Sequence, residues 1–346
     1  MYSKTFRRTR ARAPLRLGLA GGGTDLSPYC DDFGGAVLNV TVDRYAFASF
    51  LPRDDNKIVF ESDDTGVVET FDLDSPLDGA ALLLHRGVYE RMIREFNDGR
   101  RLALTIRTTV DAPAGSGLGS SSALVVALVN GMRAILGAPL GDYDVAHLAY
   151  EIERIDLGLS GGRQDQYAAA FGGINYIEFL AGDRVIVNPL RVREAVNNEL
   201  ESSLVVCFSG RSRSSAAIID RQTAGLNAHS TKTIDAMHQL KADAAEMKRA
   251  LLLGQIDRMA EILDASWQAK QRTADGISTD RIHELVALAK DNGALAGKVS
   301  GAGGGGFMFF LVHPEHRYRL LDVLGRAGAS SSPVKFTHRG CETWQF

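Results

Sequence analysis

Residues Pro113 to Ala123 read Pro-Ala-Gly-Ser-Gly-Leu-Gly-Ser-Ser-Ser-Ala and lead directly into the apolar stretch Leu124 to Leu136. Alternating glycines let a backbone turn tightly and come close to a ligand. The apolar stretch reads as a helix, whose start presents unpaired N–H groups and a partial positive charge. Loop and helix start together make a cradle for an anion, most often a phosphate. The serines suit three tasks: capping the helix, bonding phosphate oxygens, or holding a magnesium ion. A plain glycine-rich turn with a serine cap is the competing reading.

A length of 346 residues suggests two domains, each long enough for its own core. The hydrophobic share of 45% and charged share of 23% fit a soluble globular protein. A net charge of −3, from 39 basic and 42 acidic residues, argues against a general nucleic-acid binder. The basic start, Arg7, Arg8, Arg10 and Arg12, reads as a solvated first strand. No apolar run follows it, so no secretory signal is expected. Ala123 to Leu136 is too short to span a bilayer and contains Asn130 and Arg133, so no membrane partner is expected. Cys30, Cys207 and Cys341 form neither a disulfide framework nor a metal knuckle, and a reducing cytoplasm is the expected home.

Along the chain, Ala36 to Leu51 and Lys57 to Phe71 predict an extended strand and a hairpin turning at Asp63-Asp64-Thr65-Gly66. Ala80 to Asn97 predicts a helix, and Leu102 to Val110 a strand feeding the glycine loop. Helices over Asp142 to Ile155 and Asp165 to Phe171 follow, the second closed by Gly172-Gly173. Residues 191–202 are polar, and the domain boundary is placed there: 1–190 and 191–346. The second half predicts a strand at Leu204 to Phe208 and helices separated by Gly225, Gly254 and Gly276. It continues with a strand–glycine-turn–strand unit over Ala294 to Val312, a helix from Pro314 to Gly328 and a last strand, Val334 to Trp344. The mixed order points to α+β in both halves.

No Gly-x-x-x-x-Gly-Lys-[Ser/Thr] occurs, which excludes a P-loop. Gly301 to Gly306 formally fits a dinucleotide fingerprint, but the apolar run after it is a strand, so that context fails. His313 and His316 lack a third metal ligand nearby. The triplet Gly21-Gly22-Gly23 bares backbone for a polar ligand, with Thr24 and Asp25 as hydrogen-bonding groups. A carboxylate accepts paired sugar hydroxyls well, although a flexible loop with an Asx cap reads equally well. The segment Glu151-Ile152-Glu153-Arg154-Ile155-Asp156 ends a helix and Asp165 opens the next, so carboxylates stand at both ends of one glycine-containing loop. One is suited to holding magnesium and the other to polarising a hydroxyl; ordinary helix-end charges are the alternative.

These clusters resemble, in order and spacing, the three motifs of the GHMP kinases, the galactokinase, homoserine kinase and mevalonate kinase family. The first runs from Ala13-Pro14-Leu15-Arg16 to Asp25, the second from Pro113 to Ala123, the third from Lys298 to Phe307. Where galactokinase has Gly-Glu-His-Thr-Asp, this chain has Gly21-Gly22-Gly23-Thr24-Asp25. That form, with Tyr29, Gly34 to Asn39, Gly161 to Tyr167, Gly210 to Ser215 and Ala265 to Lys270, looks like the branch that phosphorylates the anomeric hydroxyl of D-glycero-D-manno-heptose 7-phosphate. Bacterial L-fucokinases share the first motif, which keeps a neutral-sugar 1-kinase (fucose or galactose type) as the alternative. A catalytically inactive GHMP-fold sensor is the more distant one.

The resemblance implies an N-terminal domain like ribosomal protein S5 domain 2 packed on a ferredoxin-like C-terminal domain, with the site between them. It implies ATP and Mg2+ as cofactors and a small sugar phosphate as substrate. ATP would lie along Pro113, Gly115, Ser116, Gly117, Leu118, Gly119, Ser120, Ser121 and Ser122. Ser121 and Glu153 would hold the metal, with Ser120 and Ser122 as neighbouring alternatives. Glu153 stands one residue further from Asp165 than in mevalonate kinase. Asp165 matches the catalytic aspartate and Arg16 the catalytic cation. Gly22, Gly23, Thr24, Asp25, Gly303 and Gly304 would meet the sugar. A 7-phosphate would need cations, for which Arg211, Arg213 and Lys270 are the candidates, then Arg163.

Overall fold

A computed structural model describes residues 6–113, 115–210 and 215–346. The first half contains β1 (Thr9–Ala20), α1 (Tyr29–Phe33), β2 (Gly35–Pro52), β3 (Lys57–Ser62), β4 (Val67–Asp72), α2 (Leu83–Phe96) and β5 (Leu104–Val110). It continues with α3 (Ser120–Leu136), α4 (Asp142–Tyr150), a π-helical turn (Glu151–Asp156), α5 (Gln164–Phe171), β6 (Ile174–Leu180) and β7 (Arg184–Pro189). The second half holds α6 (Glu194–Ser202), β8 (Leu204–Phe208), α7 (Ser215–Asn227), α8 (Thr231–Leu253), α9 (Ile256–Gln271) and α10 (Asp280–Asp291). Then come β9 (Ala294–Val299), β10 (Phe307–Val312), α11 (Pro314–Arg326), β11 (Ser330–Pro333) and β12 (Glu342–Gln345).

The first sheet is ordered β12-β1-β2-β5-β3-β4, with β6 and β7 added on β2. Strand β2 is long enough to serve two neighbours: Ala46 to Pro52 pair with β5 and Gly35 to Val40 with β6. Helix α3 is apolar nearly all round because it is buried; Val125 to Val129 are fully covered, against β1 and β2. That burial fixes the position of the helix start, where the serines stand. The second sheet is antiparallel, ordered β11-β8-β10-β9. Counted within that half, the order is 4-1-3-2 with a β-α-β-β-α-β frame, which is the ferredoxin-like arrangement.

Some boundaries differ from the sequence reading. Residues 191–202 include helix α6, which buries Val196 and Leu200 despite its polar composition. Gly225 lies inside α7; the break falls after Asn227, and Ser230 caps α8 by accepting from the Thr233 N–H. The expected last strand, Val334 to Trp344, is two pieces. Phe336 makes a single bridge to Val42, and β12 pairs with β1 in the first sheet. A division at 190/191 therefore does not follow the sheets, because the chain's end crosses back to the first one.

Candidate active site

Gly115, Gly117 and Gly119 all have positive φ, at 68°, 82° and 74°. The loop so curled leads into the first turn of α3, whose leading N–H groups have no partner within the helix. Gly119 is the N-cap of the helix and has no side chain with which to cap it. A Cβ on Gly119 would meet Asp165 Cγ at 3.2 Å, and one on Gly117 would meet the Ser300 carbonyl oxygen at 2.3 Å. These glycines let the loop press between α5 and the third motif. The Phe307 N–H completes the contact by donating to the Ser116 oxygen at 2.7 Å.

A cavity of about 270 Å³ opens over this loop, lined among others by Arg16, Asp25, Ser121, Glu153, Asp165 and Lys270. Arg16 projects from β1 and is 4% exposed. Its Nε donates to Asp165 Oδ1 at 2.7 Å and its Nη1 to the Gly117 oxygen at 2.7 Å and to Ser300 Oγ at 3.3 Å. Asp165 sits in the first turn of α5, where the helix dipole favours a carboxylate.

Glu153 lies on the π-helical turn and is 1% exposed. Ser121 Oγ donates to its Oε1 at 2.8 Å, Ser122 Oγ to its Oε2 at 2.7 Å, and Gln166 Nε2 to Oε2 at 2.7 Å. Arg154 pairs with Oε1 at 3.3 Å. A π-turn accommodates an extra residue within a helix, and such turns recur at functional sites.

Residues 83–173 match the family model for the GHMP kinases N terminal domain, and residues 247–330 that for the GHMP kinases C terminal domain. The D-glycero-alpha-D-manno-heptose 7-phosphate kinase of Campylobacter jejuni is 42% identical over 97% of this chain and 98% of its own length. The chain belongs to the GHMP kinase family. A crystal structure of a D-glycero-D-manno-heptose 1-phosphate kinase from Bacteroides thetaiotaomicron is 41% identical with a TM-score of 0.81. It covers 98% of this chain and 99% of that one. The L-fucokinase/L-fucose-1-P guanylyltransferase of Bacteroides fragilis is 25% identical over 90% of this chain and 35% of its own. The GHMP kinase fold, with N- and C-terminal domains, follows from these matches.

Several residues of this GHMP kinase stand elsewhere than the sequence reading put them. Thr24 faces away from the cavity: it is fully buried, and its hydroxyl donates to the Gly21 and Ala36 oxygens. It pins the glycine loop to β2 and is not a sugar ligand. Gly22 offers its carbonyl to Lys270 Nζ at 3.0 Å, while Gly23 lines the cavity. Gly303 and Gly304 lie against Ile277, whose oxygen accepts from the Gly304 N–H at 2.7 Å; Gly301 and Ala302 line the cavity in their place. Ser116 and Leu118 are buried and Pro113 is exposed, so the lining falls to Gly115, Gly117, Gly119 and the serine triplet.

Asp25 does reach the cavity, but much of its capacity is spent. Oδ2 accepts the N–H groups of Arg163 and Gln164, and Oδ1 that of Gly23. It thereby caps α5 from a distant part of the chain. Lys270 is buried beside it, and burial pushes its ammonium down to about 8. Lys298, donating to the Gly18 oxygen behind the loop, is pushed down to about 7, first by burial and then by Lys270. Arg163 lines a neighbouring cavity, paired with Asp31 and Asp183. Arg211 and Arg213 lie outside the described residues. Among the described residues no group of three or more His, Cys, Asp or Glu forms a metal cage. His313 instead pairs with Asp257.

Sequence reasoning missed Gln166, Arg154 and Ser300. Gln166 is the neighbour of Asp165 and Arg154 that of Glu153. Only the fold shows that these neighbours turn onto Ser122 and Glu153.

Proposed function

We propose that the chain transfers the terminal phosphoryl group of ATP to the anomeric C1 hydroxyl of D-glycero-D-manno-heptose 7-phosphate. The product is the 1,7-bisphosphate, an intermediate toward nucleotide-activated heptose, made in the cytoplasm. What carries the reaction class is the Arg16–Asp165 pair facing the serine-bearing start of α3 across one cavity. The substrate is supported by the likeness to the Campylobacter jejuni enzyme over nearly the full length of both chains.

The residues fit the groups the family uses. Three positive-φ glycines and uncapped helix amides suit a triphosphate. An apolar cavity of about 280 Å³, lined by Leu83, Leu84, His85, Val110 and Leu124, opens onto Gly115, Ser120 and Ser121 and suits the adenine. The oxygens of Ser121 and Glu153 are hard donors of the kind magnesium takes, with phosphate oxygens to complete the set. Bound magnesium supplies charge neutralisation on the transferring group.

In this reading Asp165 orients the sugar hydroxyl and accepts its proton, a modest demand because an anomeric hydroxyl is more acidic than an ordinary alcohol. Arg16 keeps that carboxylate aimed and faces the charge that develops on the phosphoryl oxygens. Asp25 and Lys270 meet the sugar ring. A panel of phosphorylated and plain sugars with ATP and magnesium, read by phosphorus NMR, tests the proposal. A new anomeric phosphate on the heptose 7-phosphate supports it. Transfer to fucose or galactose alone favours the neutral-sugar reading, toward which the fucokinase likeness points. No transfer to any sugar removes the activity.

A further inference from the structure

A second chamber of about 280 Å³ adjoins the catalytic one. Asp25, Leu26, Arg154, Leu159, Ser160 and Gly161 line both, so the two cavities adjoin at Asp25 and along the loop between the π-turn and α5. Arg163 lines the second chamber. It precedes Asp165 by two residues, which at the start of a helix is a turn of about 200°. Asp165 therefore serves one chamber and Arg163 the other.

The state of Arg163 is unusual. The residue is 5% exposed, and its Nη2 is partnered by Ser27 at 3.2 Å, Asp31 at 3.1 Å and Asp183 at 2.9 Å, with Tyr150 as a further hydrogen-bonding neighbour. Among the described residues its Nε is buried without a hydrogen-bond partner. The guanidinium lies over the Tyr150 ring, 5.3 Å from the centroid. The side chains of Asp31 and Asp183 are 42% and 67% exposed, so these pairs are weak and exchange readily. Burying a guanidinium costs energy that such partners do not return. A planar fork held by exposed, exchangeable carboxylates and with its Nε unpaired among the described residues, in a chamber beside Ser27 and Ser160, is an arrangement suited to a phosphate dianion. The chamber's acids are engaged already: Asp25 by backbone N–H groups and Asp220 by the Ser160 hydroxyl at 2.6 Å.

We infer that this second chamber seats the phosphate at the far end of the sugar, and that Arg163 reads it by exchanging Asp31 and Asp183 for phosphate oxygens. The inference rests on the sugar-phosphate reading above. Asp165, Asp25 and Arg163 then meet the C1 hydroxyl, the ring and the distal phosphate in turn.

The experiment compares heptose 7-phosphate with the unphosphorylated heptose on the full chain carrying Arg163→Lys, Arg163→Ala, Asp31→Asn or Asp183→Asn. Loss of a charge-assisted hydrogen bond predicts that Arg163→Ala lowers kcat/KM for the 7-phosphate by about 10- to 150-fold, and far less for the plain heptose. Asp183→Asn frees Arg163 and lowers KM for the 7-phosphate by up to about fivefold. Asn tolerates the positive φ of 56° at position 183, so this variant folds even where Arg163→Ala does not. Equal losses on both substrates at position 163, or an unchanged KM in Asp183→Asn, overturn the inference alone. A wild-type enzyme with no preference for the 7-phosphate overturns the functional reading itself.

Discussion

Arg16 grips Asp165 through two nitrogens, Nε at 2.7 Å and Nη2 at 2.6 Å from the same carboxylate oxygen. The remaining oxygen, Oδ2, stays 3.3 Å from where a Cβ on Gly119 would sit, against the glycine loop before α3. One oxygen is thus tied to the cation and the other lies against Gly119.

Asp165→Asn keeps the shape and removes the proton acceptor. The expected outcome is a fall in kcat of about a hundredfold or more, the usual size for a lost general base. The nest formed by α3 is untouched, so nucleotide affinity holds. Steady-state kinetics with a parallel nucleotide titration check both halves, and normal turnover would remove Asp165 from the mechanism.

Glu153→Gln tests the metal site. The carboxylate accepts from Ser121, Ser122 and Gln166, and an amide of equal volume retains the packing while its NH2 opposes those donors. The magnesium concentration giving half-maximal activity should rise by about 10- to 100-fold, as when metal-site partners are lost. A superimposable magnesium titration would deny Glu153 that role.

What was legible in the sequence was local. The nest, α3 and the pairing of β3 with β4 follow from turn residues and periodicity within short windows. What was hidden depends on contacts between distant segments. Thr24 reads as a ligand until the carbonyls of Gly21 and Ala36 are seen to claim its hydroxyl. Polar residues 191–202 read as a linker because α6 buries only Val196 and Leu200. Strand β12 is four residues of mixed character, and only its pairing with β1 gives it a place. The Glu153 cluster was half visible: the acid and its serines come from motifs, but Gln166 and Arg154 enter through the π-turn and the start of α5.

Gly117→Ala should cost both stability and nucleotide binding. Its φ of 82° costs a side chain about 1–2 kcal/mol. In addition its Cβ would strike the Ser300 oxygen at 2.3 Å, forcing the third motif away from the loop. Gly137→Ala is the control: it shares a positive φ, 68°, but nothing lies within 4 Å of its Cβ. A lower Tm in both with a raised KM for ATP only in Gly117→Ala is expected. Identical KM values would mean the two motifs do not depend on each other.

Lys270 sets the pH response. Its folded value is pushed from 10.5 down to about 8, chiefly by burial, with Arg16 lowering it further and Asp25 opposing. Below about pH 8 the ammonium is charged and attracts an anionic substrate; above it the charge is lost. The kcat/KM for the sugar phosphate, which reports the free enzyme, should therefore fall as pH rises through about 8. Stability moves the other way. The unfolded chain holds this proton more tightly, so between about pH 8 and 10.5 the contribution of Lys270 to stability grows with pH. Lys270→Met, neutral throughout, should remove the alkaline fall in kcat/KM and reduce the rise in stability, of which the part due to buried Lys298 remains. Rate profiles and denaturant unfolding at matched pH read them separately, and an alkaline limb that survives in Lys270→Met would assign it to another group.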